Sequence, residues 1–266
     1  MTLETACLPS QLCCIKTLKM ETTKKVALVI GGSRGIGAAI VKRLAADGNK
    51  VAFTYWSAPD RAGELVAAVQ KAGGDAFAIK ADSGDPGSAE KVVAETVQHF
   101  GRLDILVNNA GVATFSVVDN AGDDLSHIDR LFAVNQTGVA AAVRAATKYM
   151  GEGGRIISIG STLADRMANI GFADYAASKA AVAAYTRGWA WDLGKKGITV
   201  NTIHPGPTDT DMNPDGTEFS EKMKASTALG RYAKPEEIAA AVSFLASPEA
   251  SFVTGAALNV DGGQNA

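Results

Sequence analysis

The chain has 266 residues, 47% apolar and 20% charged, so it can bury a sizeable core and does not have the composition of a disordered or membrane-embedded protein. Twenty-six basic residues against 28 acidic ones leave a formal charge of −2, which argues against nucleic acid as the main partner. The three cysteines, Cys7, Cys13 and Cys14, all lie near the start, which excludes a disulfide framework for the rest of the chain.

Residues 1–23 have no apolar core of secretory length and no Arg, and are expected to be a disordered extension without a metal site. No apolar run approaches the roughly 20 residues of a membrane span, so no membrane contact is expected and the expected location is the cytoplasm. From residue 25 onward, short runs rich in Val and Ile at 26–30, 51–55, 76–81, 104–108, 155–159, 198–203 and 257–260 predict seven buried strands. Helical periodicity between them predicts helices over 36–47, 61–72, 88–100, 124–150, 175–195 and 235–245. This alternation predicts an α/β fold, a Rossmann-like doubly wound parallel sheet with helices on both faces, in one domain over 24–266. Right-handed crossovers put the ligand crevice beyond the carboxyl ends of the strands. The irregular stretch 207–230, with Pro207, Pro214 and Gly216, is long enough to form a lid over it.

Chemistry-bearing residues do fall just after strands. The first strand runs into Gly31-Gly32-Ser33-Arg34-Gly35-Ile36-Gly37 and then a helix, an arrangement that brings bare backbone N–H groups against a pyrophosphate. The second strand ends in Thr54-Tyr55-Trp56-Ser57 with no acid to hydrogen-bond a ribose 2′-hydroxyl, so nothing there repels a 2′-phosphate. Arg34 supplies a cation for such a phosphate, and Ser33, Trp56 and Ser57 add hydrogen-bonding groups. The fourth strand opens into Asn108-Asn109-Ala110-Gly111, where Asn side chains tie neighbouring strands and Gly111 leaves room for a flat ring.

Tyr175 and Lys179, four apart, share a helix face with Cβ atoms roughly 6 Å apart, and the ammonium is expected to lower the phenol's pKa toward working pH. A phenol tuned in this way passes a proton to a carbonyl oxygen. Ser161, just past the fifth strand, is placed to hydrogen-bond the same oxygen. Asn135 disfavours regular helix in the middle of a helical stretch, which calls for a local reason. His99, His127 and His204 have no companions at metal-ligand spacing and are read as structural.

Together these motifs resemble the short-chain dehydrogenase/reductase family over residues 24–263, with further matches at Asp82, Val134-Asn135 with Gly138, Tyr175-Ala176-Ala177-Ser178-Lys179, Pro205-Gly206 with Thr210, and Val260-Asp261-Gly262-Gly263. The chain is also similar to bacterial 3-oxoacyl-carrier-protein reductases, and 205–214 with 249–255 resemble a biofilm-dispersal subgroup. The resemblance implies an oxidoreductase that moves a hydride between NADPH, with NADH second, and a small ketone or secondary alcohol. It implies Tyr175 as proton donor, Lys179 on the nicotinamide ribose, Ser161 on the carbonyl, and Asn135 holding a water that links Lys179 to solvent. It further implies cofactor contacts at Asp82, Ser83, Asn108, Ala110, Gly111, Pro205, Gly206, Thr208 and Thr210, and a homotetramer. Ile30 stands where the family usually has Thr, which removes a turn hydrogen bond. Ser161 lies fourteen positions before Tyr175 rather than thirteen, so Thr162 is kept as a second candidate. A dinucleotide-binding sensor without turnover is the competing reading of the same crevice.

Overall fold

Alternate residues of the first strand go to opposite faces of one sheet. In β1 (Val26–Ile30), Ala27 and Val29 pack into one apolar layer while Leu28 and Ile30 pack into the other. The same parity recurs in β4 (Ile105–Asn108), with Val107 on the first face and Leu106 on the second. Strands buried on both faces read as continuous apolar runs, which is why the sequence revealed them. The computed structural model describes residues 24–119, 125–166 and 169–266. The expectation for 1–23 lies outside them.

The other strands are β2 (Lys50–Tyr55), β3 (Asp75–Lys80), β5 (Arg155–Ile159), β6 (Thr199–Pro205) and β7 (Ala257–Val260). They form one parallel sheet in the order β3-β2-β1-β4-β5-β6-β7. The chain order reverses between β1 and β4, which sets a crevice at their carboxyl ends. α1 (Gly35–Ala46) and α8 (Pro235–Ala246) cover one face, where Ile40, Leu44, Ile238 and Val242 meet Val29, Phe53 and Ile157. α3 (Pro86–Phe100), α5 (Gly138–Ala146) and α6 (Ala173–Gly194) cover the other, where Val93, Val143 and Leu193 meet Leu28, Leu106 and Val200. α2 (Pro59–Lys71) extends the first face toward the β3 edge through Ala62, Leu65 and Val69.

Three expectations are corrected. The helix expected over 124–150 is interrupted: α4 (Ser126–Phe132) gives way to a π-helical turn, Ala133–Thr137, before α5 begins, and residue 124 itself lies outside the described residues. The expected lid holds a helix, α7 (Glu218–Ala225), started by a capping box in which the Thr217 hydroxyl accepts from the Ser220 N–H and the Ser220 hydroxyl accepts from the Thr217 N–H. β7 is not buried, because it is the outermost strand and Ala257, Leu258 and Asn259 are exposed. No helix among the described residues is long and apolar enough to cross a membrane.

Candidate active site

The cleft at the carboxyl ends of β1, β4 and β5 encloses about 440 Å³, with walls contributed by the glycine loop, the turns after β2 to β5, the start of α6 and the lid. At the glycine loop, Gly31 has φ +79° and Gly35 has φ +50°, values that L side chains rarely adopt. A Cβ at Gly31 would stand 2.7 Å from the Ala110 backbone, so the loop lies directly on the β4 turn. Gly37 does not reach the cleft. It is buried, a Cβ there would stand 2.1 Å from the Gly31 carbonyl oxygen, and so it serves the close packing of helix on loop.

The hydrogen bond expected to be lost at Ile30 comes from elsewhere: the Thr54 hydroxyl accepts from the Gly31 N–H at 2.8 Å. The sequence marks Thr54 only as a place without an acid, because nothing local to β2 shows that its neighbour is β1. Asn109, not Asn108, holds the loop from the other side, donating from Nδ2 to the Gly31 carbonyl at 2.6 Å. Asn108 is buried within the sheet and donates to the Ser158 hydroxyl at 3.3 Å, so it joins β4 to β5 and does not line the cleft.

α1 opens with Arg34 as an extended N-cap that makes no side-chain cap bond, and its first turn holds no acid. The N–H groups at this helix start therefore present partial positive charge to the cleft. Ser33, Arg34 and Ile36 line it, as do Tyr55, Trp56 and Ser57 after β2. Arg34 and Trp56 are exposed. Asp211, an acid from the lid, also lies in Arg34's electrostatic reach. Its carboxyl is held low, chiefly by a hydrogen bond from the Arg61 guanidinium, so two cations face one anion. The sequence reading did not bring Asp211 or Arg61 here, because both sit far from the glycine loop in the chain.

Asp82 lines the cleft after β3 and is gripped by Arg130 at 2.6 and 3.0 Å, with the Gly84 N–H at 2.8 Å. The Arg130 hydrogen bond is the main reason its carboxyl sits below the usual range. Ser83, Ala110 and Gly111 line the same wall, and the Ser83 carbonyl lies where a Cβ at position 138 would fall, which requires Gly138. Pro205, Gly206, Thr208 and Thr210 line the opposite side. The Thr210 methyl group lies 3.2 Å from where a Cβ on Gly35 would be, so the start of the lid rests on the glycine loop.

Tyr175, Ser161 and Lys179 converge on the cleft floor, with the Lys179 Nζ 5.8 Å from the centre of the Tyr175 ring. Lys179 is buried and donates to the Ile159 carbonyl at 2.9 Å. Burial pulls its pKa down to about 8. Burial also raises Tyr175 above its ordinary value, with the Ser161 hydroxyl working in the opposite direction. The expectation that the lysine lowers the tyrosine is corrected here. Removal from water is the largest cause for both groups, since it penalises the charged form of each. Between Ser161 and Thr162 the structure favours Ser161, since the Thr162 hydroxyl donates to Gln264 Oε1 at 2.9 Å. Gln264, four turn residues past β7, also lines the cleft and has no sequence signal of its own.

Asn135 is fully buried in the π-helical turn and does not line the cleft. Its Oδ1 accepts from the Val112 N–H and its Nδ2 donates to the Val112 carbonyl, both at 2.9 Å, with the Ser178 hydroxyl at 3.1 Å. This clamp on the β4 turn is the local reason for an Asn inside the helical stretch. Of the histidines, His99 stacks on Phe77 at 4.2 Å, and His204, buried in β6, meets Asp165 at 3.0 Å. No cluster of potential metal ligands occurs among the described residues.

A family model described as enoyl-(acyl carrier protein) reductase matches residues 30–265. The chain is 46% identical over 241 residues to the cyclic-di-GMP-binding biofilm dispersal mediator protein of Escherichia coli, covering 90% of this chain and 97% of that protein. A solved short-chain dehydrogenase/reductase from Serratia marcescens has a TM-score of 0.89 and 52% identity, covering 92% of this chain and 99% of that one. A short-chain dehydrogenase from Burkholderia cenocepacia, in complex with NADP, has a TM-score of 0.89 and 48% identity, with the same 92% and 99% coverage. With its glycine loop, its Asn clamp and its Tyr-Lys pair on one cleft, the chain belongs to the short-chain dehydrogenase/reductase family.

Proposed function

We propose that the protein is an NADPH-dependent carbonyl reductase, acting in reverse as a secondary alcohol dehydrogenase, from one domain over 24–266. The observation that carries this reading is the meeting of Tyr175, Ser161 and Lys179 at one end of a cleft whose other end is an uncapped helix start. That cleft fits the dinucleotide. Bare backbone at Gly31 and Gly35, with Ser33 and Ile36, would hold the pyrophosphate on the open N–H groups of α1. Arg34 takes the 2′-phosphate, beside Tyr55, Trp56 and Ser57. Asp82, Ser83, Ala110 and Gly111 border the adenosine and its ribose, and Pro205, Gly206, Thr208 and Thr210 border the nicotinamide end. The Burkholderia relative's complex with NADP supports the same choice of cofactor.

NADPH, when bound, supplies a hydride to the carbonyl carbon. The protein's own part is to orient and polarise that carbonyl. Ser161 donates a hydrogen bond to the carbonyl oxygen, and Tyr175 gives it the phenolic proton. The raised pKa of Tyr175 keeps that proton in place at neutral pH, which is the form a donor needs. Lys179, a cation up to pH about 8, stabilises the phenolate that remains and holds the ribose. The Asn135 amide is committed to Val112 and Ser178, so its part is to hold the β4 turn against Lys179.

Loss of reduced-nicotinamide absorbance with a panel of ketones tests the reading. Tyr175→Phe is expected to lower kcat by about 10²- to 10⁴-fold, with the NADPH dissociation constant nearly unchanged. Retention of more than about a tenth of the rate would remove Tyr175 from the donor role. The Escherichia coli relative is named for binding cyclic-di-GMP, and a binder without turnover would show no oxidation with any ketone. We also infer self-association into a homotetramer, supported by the exposed edge of β7 and the fully exposed Phe252 beside it. Sedimentation as a monomer at micromolar concentration would refute it.

A further inference from the structure

Beside Tyr175 the cleft is lined by Phe172, the inner member of an aromatic row whose outer member, Phe115, stands behind it. Phe172, just before α6, meets the Tyr175 ring edge-on with centroids 6.5 Å apart, and Phe115, from the turn after β4, meets Phe172 edge-on at 6.0 Å. Two features lock this row. The Ser116 N–H donates to the Gly171 carbonyl at 2.9 Å, and the Phe115 ring lies so close to Gly171 that a Cβ there would stand 2.3 Å from it. Gly171 also has φ +78°, so position 171 is glycine for both conformation and space.

The lid lends the same cleft further apolar lining: Met212, with Phe219 and Met223, which stand four apart on one side of the capped helix α7. Phe219 and Met212 are about half exposed, as expected of side chains facing an open cleft.

The charged side chains that line the cleft, among the described residues, are already answered or lie at the cofactor end. Asp82 is held by Arg130, Asp211 by Arg61, and Lys179 donates to the Ile159 carbonyl. Arg34 stands in the glycine loop. A substrate carboxylate beyond Tyr175 would therefore lose water and gain no cation, which disfavours it strongly. A planar ring, in contrast, would find the Phe172 ring and the Phe219, Met212 and Met223 side chains in the same cleft, contacts that reward a flat π system beyond its area alone.

We propose that the substrate is an uncharged ketone with an aromatic ring attached to the carbonyl, the ring lying against Phe172 and under Phe219 and Met223. This rests on the carbonyl-reductase reading. The reaction balances as hydride from NADPH to the carbonyl carbon and the Tyr175 proton to its oxygen, giving a benzylic secondary alcohol and NADP⁺.

The test uses the full chain with saturating NADPH and three compounds of equal carbon count: acetophenone, 2-octanone and phenylglyoxylate. The expected result is a kcat/KM for acetophenone at least about tenfold above either of the others. Phe219→Ala is expected to cut the acetophenone to 2-octanone ratio by about tenfold while leaving the NADPH dissociation constant unchanged. Phe219→Leu, which keeps apolar volume but not the ring, is expected to fall in between. Equal or better turnover of 2-octanone or phenylglyoxylate would overturn the proposal, and so would a Phe219→Ala variant that raises KM for both ketones alike. If NADPH binds and no carbonyl compound is reduced, the reductase reading itself fails and this proposal falls with it.

Discussion

Lys179 should make the protein less stable than an uncharged residue of the same length would, and the size of the penalty follows from its surroundings. Burial lowers its pKa from an ordinary 10.5 to about 8. At about 1.36 kcal/mol per unit, the folded state holds this cation at a cost of about 3 kcal/mol relative to the unfolded chain. The sign runs as follows for a cation with a depressed folded pKa. Below pH about 8 the proton is present in both states and the whole penalty is felt; between about 8 and 10.5 the folded protein has released its proton and the penalty fades. Lys179→Met keeps the stem and removes the charge, but leaves the Ile159 carbonyl without its donor, a loss of about 1–3 kcal/mol that does not depend on pH. The net change at pH 7 is therefore a gain of up to about 2 kcal/mol, a few degrees in Tm for a chain of this size. The decisive quantity is the slope. Urea denaturation of both proteins without cofactor, from pH 6 to 10.5, should show the variant's advantage shrinking by about 3 kcal/mol as pH rises, while ketone reduction is lost throughout. A gap that stays constant with pH would refute the claim that burial of a charge sets the Lys179 pKa.

Three further outcomes are expected. Arg34→Ala should raise KM for NADPH by about 10- to 150-fold and scarcely alter that for NADH, since a charge-assisted contact is worth about 1.5–3 kcal/mol; steady-state kinetics with both cofactors check this, and a wild-type preference for NADH would sink the assignment. Thr54→Val should lower stability by about 1–3 kcal/mol by stranding the Gly31 N–H, and should weaken NADPH binding if, as proposed, the same loop holds the pyrophosphate; calorimetry of binding beside urea denaturation reads both. Asp165→Ala should cost about 1–3 kcal/mol by leaving the buried His204 Nδ1 unmatched, and a Tm equal to wild type would show that the pair carries no energy.

The sheet was legible because its five inner strands are buried on both faces and so write themselves as apolar runs, and β3, at one edge, still sends Ala76 and Ile79 into opposite layers. β7 gave the same signal although it lies exposed at the edge, since a run of Ala, Leu, Asn and Val does not say whether a neighbour will cover it. α7 was not legible because its eight residues carry mostly polar side chains, and only the Thr217-Ser220 cap marks its start. In the site, proximity along one helix was readable and proximity between strands was not. Tyr175 and Lys179 are readable from their spacing and Asn109 from its turn, whereas the partners of Thr54, Arg130 and Gln264 follow only from the order in which strands assemble. Adjacent Asn108 and Asn109 show the limit most sharply. They are the same residue type one step apart, but the end of β4 turns one into the sheet and the other toward the glycine loop.

The departures from regular structure gather where the chemistry is proposed. Left-handed backbone at Gly31 and Gly35, the π-helical turn at Asn135, a charge buried at Lys179 and a helix start at Arg34 without a cap each cost stability locally, and all stand around one cleft. Each also has a use there. The two glycines and the open helix start make an anion seat, the Asn clamp fixes the β4 turn, and the buried ammonium stands ready for a phenolate. A fold tolerates such concentrated cost only where the rest of the structure is over-determined, and two apolar layers around a seven-stranded sheet provide that here. For a pure binder the first two features would suffice. The buried cation also serves binding through the ribose it is proposed to hold; the buried phenol of Tyr175 beside Ser161 is what binding leaves unexplained, and the proposed proton transfer rests on it.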